Sequence, residues 1–103
     1  MIRHVVLWRL RAELKAGAEL PNMAAIQRSV AAMQRGVPGL LRADICRIVV
    51  DEPDAVDLAF YSEFESWAAL RGYETHPLHG EFRRLIGPMR TERRVADYEV
   101  QQG

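Results

Sequence analysis

Residues 2–10 (IRHVVLWRL) constrain this chain more than any other segment. β-Branched and aromatic types dominate it, as they do in strands. One parity carries Ile2, His4, Val6, Trp8 and Leu10, and the other Arg3, Val5, Leu7 and Arg9. Both are apolar in the middle. A strand of that kind belongs where a sheet is covered on both faces.

The remaining elements follow from periodicity and breakers. Residues 11–19 are polar, include Gly17 and read as a loop. Pro21 suits the first turn of a helix. Leu20, Met23, Ile26, Val30, Met33 and Val37 then recur at spacings of three and four, which makes one apolar helical stripe. Gly36 ends that helix, and Pro38-Gly39 forbids its continuation. Residues 40–50 predict a second strand, Asp51 to Asp54 a polar turn, and residues 55–64 a third strand. Ser66 suits the cap of a second helix carrying Trp67, Leu70 and Tyr73. Pro77 disfavours helical geometry at His76 and breaks that helix. A short helix over about 77–86 turns Leu78, Phe82, Leu85 and Ile86 inward and stops at Gly87-Pro88, and residues 91–100 alternate as a last strand.

The order β-α-β-β-α-β, its second helix in two pieces, is the ferredoxin-like α+β plan with a four-stranded antiparallel sheet. At 103 residues, without repeat or linker, the expectation is a single domain over 1–103. Two helices cover only one face of such a sheet. The apolar groups on the other face would meet water, which soluble monomers seldom allow. The expected partner is a second copy, sheet on sheet about a two-fold axis, giving a homodimeric α/β barrel.

Composition narrows function. The 14 basic and 14 acidic side chains cancel, which argues against broad electrostatic binding to nucleic acid or an anionic membrane. Cys46 is the lone cysteine, so no internal disulfide is expected. Its mid-strand position reads as an inert buried thiol in a reducing compartment. There is no long apolar segment and no signal-peptide pattern, so the expected location is cytoplasmic. Phosphate-binding loops, nucleophile elbows and paired-carboxylate signatures are not found in the sequence.

The stretch Gly72-Tyr73-Glu74-Thr75-His76-Pro77-Leu78-His79-Gly80-Glu81-Phe82 is distinctive, as is the opening Ile2-Arg3-His4-Val5-Val6-Leu7-Trp8. With Val37-Pro38-Gly39-Leu40 and Asp57-Leu58-Ala59, they resemble the stress-responsive A/B barrel (Dabb) family over nearly the whole chain. The resemblance implies a dimeric α+β barrel. Known relatives include plant stress proteins and a plant polyketide cyclase that closes a ring by aldol condensation without metal or organic cofactor. It implies His79 as general base, Tyr73 assisting it, and His4 as a pocket histidine. A further pocket histidine of the cyclase is replaced here by Leu58. In some plant relatives main-chain carbonyls hold a magnesium ion, and the equivalent region lies near Met33, Gly36 and Gly39.

Chemistry agrees with those roles. A neutral imidazole takes a proton from carbon next to a carbonyl if the carbonyl oxygen is stabilised, and a tyrosine hydroxyl supplies that hydrogen bond. Tyr73 and His79 are therefore the candidate catalytic residues, with His4, His76 and Trp8 as candidate ligand contacts. Local structure competes with that reading: His76 or His79 bonding free carbonyls at the Pro77 break, and Tyr73, His4, Trp8 and Trp67 packed as core. His76 and His79 are three apart, but no third ligand is evident, so neither metal nor cofactor is expected. Arg90, Arg93 and Arg94 read as a solvated face or as ion pairs with Glu92, Asp97 and Glu99. Three functions stay open. The chain binds a small apolar or aromatic molecule between sheet and helices, or acts as a cofactor-free cyclase or lyase, or serves as a structural oligomer.

Overall fold

β1 (Ile2–Leu10) buries every second residue and leaves the alternate ones half-buried. This is the two-sided pattern that its sequence predicts. In the computed structural model, which describes residues 1–101, it is an inner strand. The last two positions of the expected 1–103 domain, Gln102 and Gly103, lie outside the described residues. β1 pairs antiparallel with β3 (Leu58–Phe64) and β4 (Arg90–Glu99), and β3 pairs antiparallel with β2 (Leu40–Arg47). The strand order is β2-β3-β1-β4. With α1 (Met23–Gly36), α2 (Trp67–Glu74) and α3 (Pro77–Ile86), this is the ferredoxin-like α+β fold. The result is a slab of 41 × 29 × 18 Å, thin because it has one sheet layer and one helix layer.

Ile26, Val30 and Met33 of α1, Leu70 and Tyr73 of α2, and Phe82 and Ile86 of α3 share one core with the even-numbered residues of β1 and with Leu58, Phe60 and Phe64 of β3. Ser66 caps α2, its Oγ accepting from the Ala69 amide at 3.1 Å. Gly39 takes φ +79°, and a Cβ there would fall 2.5 Å from the Ala69 Cβ. Both facts demand glycine. Gly36 does end α1, but it makes no left-handed cap. A Cβ at Gly36 would lie 2.7 Å from Leu78 Cδ1, so this glycine lets the end of α1 approach the start of α3.

Several boundaries move. α1 begins at Met23 because Asn22 adopts φ 62°, which leaves Pro21 in the preceding turn. β2 stops at Arg47, where its pairing with β3 runs out, and Val49 and Val50 are 78% and 64% exposed. β3 starts at Leu58 because Asp57 ties down the end of β1. Its amide donates to the Trp8 carbonyl at 2.8 Å, and its carboxylate accepts from the Leu10 amide at 2.8 Å and Lys15 Nζ at 3.1 Å. Trp67, expected inside, is 40% exposed and donates Nε1–H to Glu99.

The face of the sheet away from the helices carries Val5, Leu7, Ala59, Tyr61, Ala96 and Tyr98, by the register of the ladders. Arg3, Arg42, Glu63 and Arg94 surround them. Cys46 belongs to this face beside Ala59 and is exposed, not buried, because β2 is an edge strand and none of the described residues covers it. Arg3 Nε is buried there with no hydrogen-bond partner among the described residues.

Candidate functional site

Pro77 sets the geometry of the site. It occupies the first turn of α3, and His76 before it is extended (φ −72°, ψ 141°). The two histidines flanking the break then serve different ends. His76 is the N-cap of α3, its Nδ1 accepting from the Leu78 amide at 3.1 Å. His79, one turn into α3, reaches back to the Glu74 carbonyl at the end of α2, at 3.0 Å from Nδ1. A carbonyl only accepts, so Nδ1 carries the proton and Nε2 holds the lone pair.

Tyr73 lies in the last turn of α2, 1% exposed, with its ring centroid 4.3 Å from His79 and 5.7 Å from His4. No described residue hydrogen-bonds its hydroxyl. Burial raises its pKa well above the ordinary tyrosine value, so it stays a neutral phenol. His4, buried on β1, stands directly across from Asp97 on β4, and its Nδ1 donates to that carboxylate. Phe60 and Phe64 pack roughly perpendicular to the His4 ring, at 6.0 and 6.2 Å between centroids. Burial, first, holds the His79 imidazole below its ordinary value. The hydrogen bond to the Glu74 carbonyl opposes this, and the charges of Arg83, His4 and Arg93 add to it. His79 is thus a neutral base at pH 7.

These groups border a cavity of about 820 Å³ between α3 and the β1–β4 side of the sheet. His4, Tyr73 and His79 line one end, and Val6, Trp8, Phe82 and Ile86 form an apolar wall. Of the five sequence candidates, four meet here: His79, Tyr73, His4 and Trp8. His76 stands apart, occupied with its helix cap, and is not among the lining residues. Trp8 is both wall and core, packed edge-on to Phe82 at 6.1 Å. Leu58 is fully buried and does not line the cavity.

The cavity also holds residues that sequence reasoning placed elsewhere. Arg93 and Arg90 line it, with Arg83 and Arg84 from α3. The expected ion pairs of the β4 cluster are mostly not made. Arg94 bonds Glu92, but Asp97 goes to His4 and Glu99 to Trp67. The signal that finds Arg93 is its register opposite Trp8, on the helix-facing side, whereas Arg94 pairs with Leu7 on the other.

No group of three or more His, Cys, Asp or Glu side chains able to hold a metal occurs among the described residues. The Met33 and Gly39 carbonyls each already accept a backbone hydrogen bond, from Val37 at 2.8 Å and Glu65 at 3.0 Å.

Fold and cavity together define a ferredoxin-like α+β domain with a histidine–tyrosine pocket under its broken second helix. The family model of the Stress responsive A/B Barrel Domain (Dabb) matches residues 2–100, and the chain belongs to that family. Solved structures agree on the fold. A dimeric ferredoxin-like protein from Bacteroides fragilis superposes with TM-score 0.83 at 22% identity, covering 96% of this chain and 95% of that one. A Dabb-family protein from Mesorhizobium loti gives TM-score 0.71 at 24% identity, over 99% of this chain and 97% of that one. The hydroxynitrile lyase of Passiflora edulis gives TM-score 0.77 at 20% identity, over 99% and 94%. No curated protein sequence is significantly similar. No helix among the described residues is long and apolar enough to cross a membrane.

Proposed function

We propose that the chain is a homodimeric, cytoplasmic, single-domain protein that binds a small molecule with an apolar or aromatic body in the cavity under α3. One observation carries this reading. The most deeply buried tyrosine turns an unpartnered hydroxyl and a neighbouring neutral imidazole toward a space walled by Val6, Trp8, Phe82 and Ile86. A hydroxyl that no described residue bonds and that borders an apolar-walled space is placed to donate to a ligand there. The reading of the chain as a purely structural oligomer-former lacks this support, because the aromatics line the cavity and leave it open.

A second reading, a cofactor-free lyase or cyclase, is favoured by the tautomer of His79. With Nδ1–H held by the Glu74 carbonyl, Nε2 is free to take a proton from carbon beside a carbonyl group, leaving an enolate. Tyr73, held as a phenol, donates a hydrogen bond to the enolate oxygen. The lyase among the structural neighbours makes this class worth assaying first.

The pH dependence follows from the directions of the shifts. A base must be unprotonated, and His79 stays neutral to a lower pH than an ordinary imidazole. In an assay of enolisable ketones, kcat/KM should fall on the acid side through a pH below about 6.5. It should hold on the alkaline side beyond about 10, because Tyr73 keeps its proton. His79→Ala should lower turnover by about 10²–10⁴-fold. Turnover unchanged in that variant would remove His79 as the base.

The dimer rests on the sheet's outer face, apolar at the centre and charged at the rim, as interfaces are. Dimeric neighbours of the same fold support it. Leu7→Arg should convert the protein from two-fold to single-subunit mass by analytical ultracentrifugation. A wild-type chain that sediments as a folded single subunit would refute the dimer.

A further inference from the structure

The proposed small-molecule cavity has a charge asymmetry that the molecule as a whole lacks. Four of the chain's 14 basic side chains line it, against one of its 14 acidic ones, Glu74. Arg83, Arg84, Arg90 and Arg93 form no ion pair among the described residues, whereas Arg9, Arg11, Arg42 and Arg94 each find a carboxylate. The two acids on this side of β4, Asp97 and Glu99, are engaged by His4 and Trp67.

These cations are placed by the fold. Arg93 lies directly across from Trp8 in the β1–β4 ladder, and Arg90 across from Leu10. Arg83 is one helical turn beyond His79, and the Arg84 guanidinium folds back along α3, 3.8 Å from where a Cβ on Gly80 would be. Arg93 is close enough to Tyr73 and His79 to act on both electrostatically. The cavity therefore has a long axis along β1, with positive charge reaching along it. The His4 and Trp8 positions are four residues apart on β1, about 13 Å at the usual rise of a strand. Tyr73 and His79 stand at the His4 end, while Arg90 and Arg93 are rooted on β4 across from Leu10 and Trp8, and the charges of Arg93 and Arg83 reach back to His79.

We infer that the ligand is an amphiphilic acid: a carboxylate held by Arg93 and Arg90, with an apolar body roughly 10 Å long lying along Trp8 and Phe82 toward Tyr73 and His79. Guanidinium groups suit a carboxylate because their paired N–H donors match its two oxygens. Like-signed side chains crowded round one opening repel each other, and an anionic ligand relieves that repulsion. The inference depends on the reading of the cavity as a small-molecule site and adds the charge of its ligand.

Isothermal titration calorimetry with two acid–amide pairs tests it: biphenyl-4-carboxylate against biphenyl-4-carboxamide, and decanoate against decanamide. At low salt the better acid should bind about tenfold or more tightly than its amide. That preference should shrink as salt is added. The double substitution Arg90→Gln, Arg93→Gln should erase it while leaving amide affinity within about twofold, and a thermal melt of the variant should match the parent. Acid and amide binding equally well would overturn the inference and leave the cavity reading standing. A preference that survives this variant would overturn it too, and its loss in Arg83→Gln, Arg84→Gln instead would move the carboxylate to α3. If neither member of either pair binds, the small-molecule reading itself fails.

Discussion

The helix-covered face of the sheet has two halves that are built differently. Under α1 the chain is closed: Ile26 and Met33 are fully buried, Val30 nearly so, and the helix packs on β2, whose Leu40 and Ala43 are buried too. Its one buried polar side chain, Ser62, donates to the His4 carbonyl at 3.1 Å. Under α3 the chain is open. Only Phe82 and Ile86 of that helix are fully committed to the core, and beyond them lie a cavity, two histidines, a tyrosine and four arginines. Apolar burial holds the fold in one half, and polar and charged groups that border the cavity collect in the other. Stability and ligand chemistry should therefore separate under mutation.

The sharpest attempt to break that division uses Met33→Ala. Removing a fully buried side chain from the closed half should cost about 2–5 kcal/mol in urea denaturation, with ligand affinity intact in the folded fraction. His79→Ala in the open half removes one hydrogen bond to a carbonyl and should cost no more than about 1.5 kcal/mol, while ligand binding or turnover collapses. Comparable losses of stability from both would erase the distinction between the halves.

A smaller effect is expected where the two pieces of the second helix begin. Ser66→Ala should cost about 1 kcal/mol, the usual worth of an N-cap, and leave ligand affinity unchanged. A large affinity loss in this variant would mean that the α2 cap shapes the cavity directly.

The smallest shift is the most diagnostic. Tyr73→Phe deletes a cavity-lining hydroxyl that no described residue bonds, so stability should change by less than about 0.5 kcal/mol. Ligand affinity or turnover should fall at least about tenfold. A stability loss of more than about 1 kcal/mol without any change in binding would assign the hydroxyl to the fold instead.

The sequence carried the closed half more fully than the open one. The stripe Met23, Ile26, Val30, Met33 and the alternation along β1 are periodic, and burial follows that period closely. Pro77 fixed the start of α3, and Ser66 the start of α2. Ends were harder. Val49 and Val50 have strand-like side chains, but a strand exists only where a neighbour pairs with it, and pairing is not a local property. Asn22 adopts a left-handed conformation that composition alone does not announce.

In the open half, the Tyr-x-x-His-Pro-x-His segment pointed to Tyr73 and His79, but could not divide labour between His76 and His79. That depends on which backbone group each ring meets after the break. The arginines were harder still. β4 is polar on both parities, so only its register with β1 separates Arg93 at the cavity from Arg94 on the opposite face.

The two histidines three residues apart supply the most direct test of the open half as a ligand site. Biphenyl-4-carboxylate should be titrated into protein carrying isotope-labelled histidine and tyrosine, and the ring resonances followed by NMR. His79 and Tyr73 should shift along one saturable curve while His76, bound to its helix cap, stays within error of its starting position. His76 and His79 moving together, or both rings at rest while the ligand binds elsewhere, would contradict it.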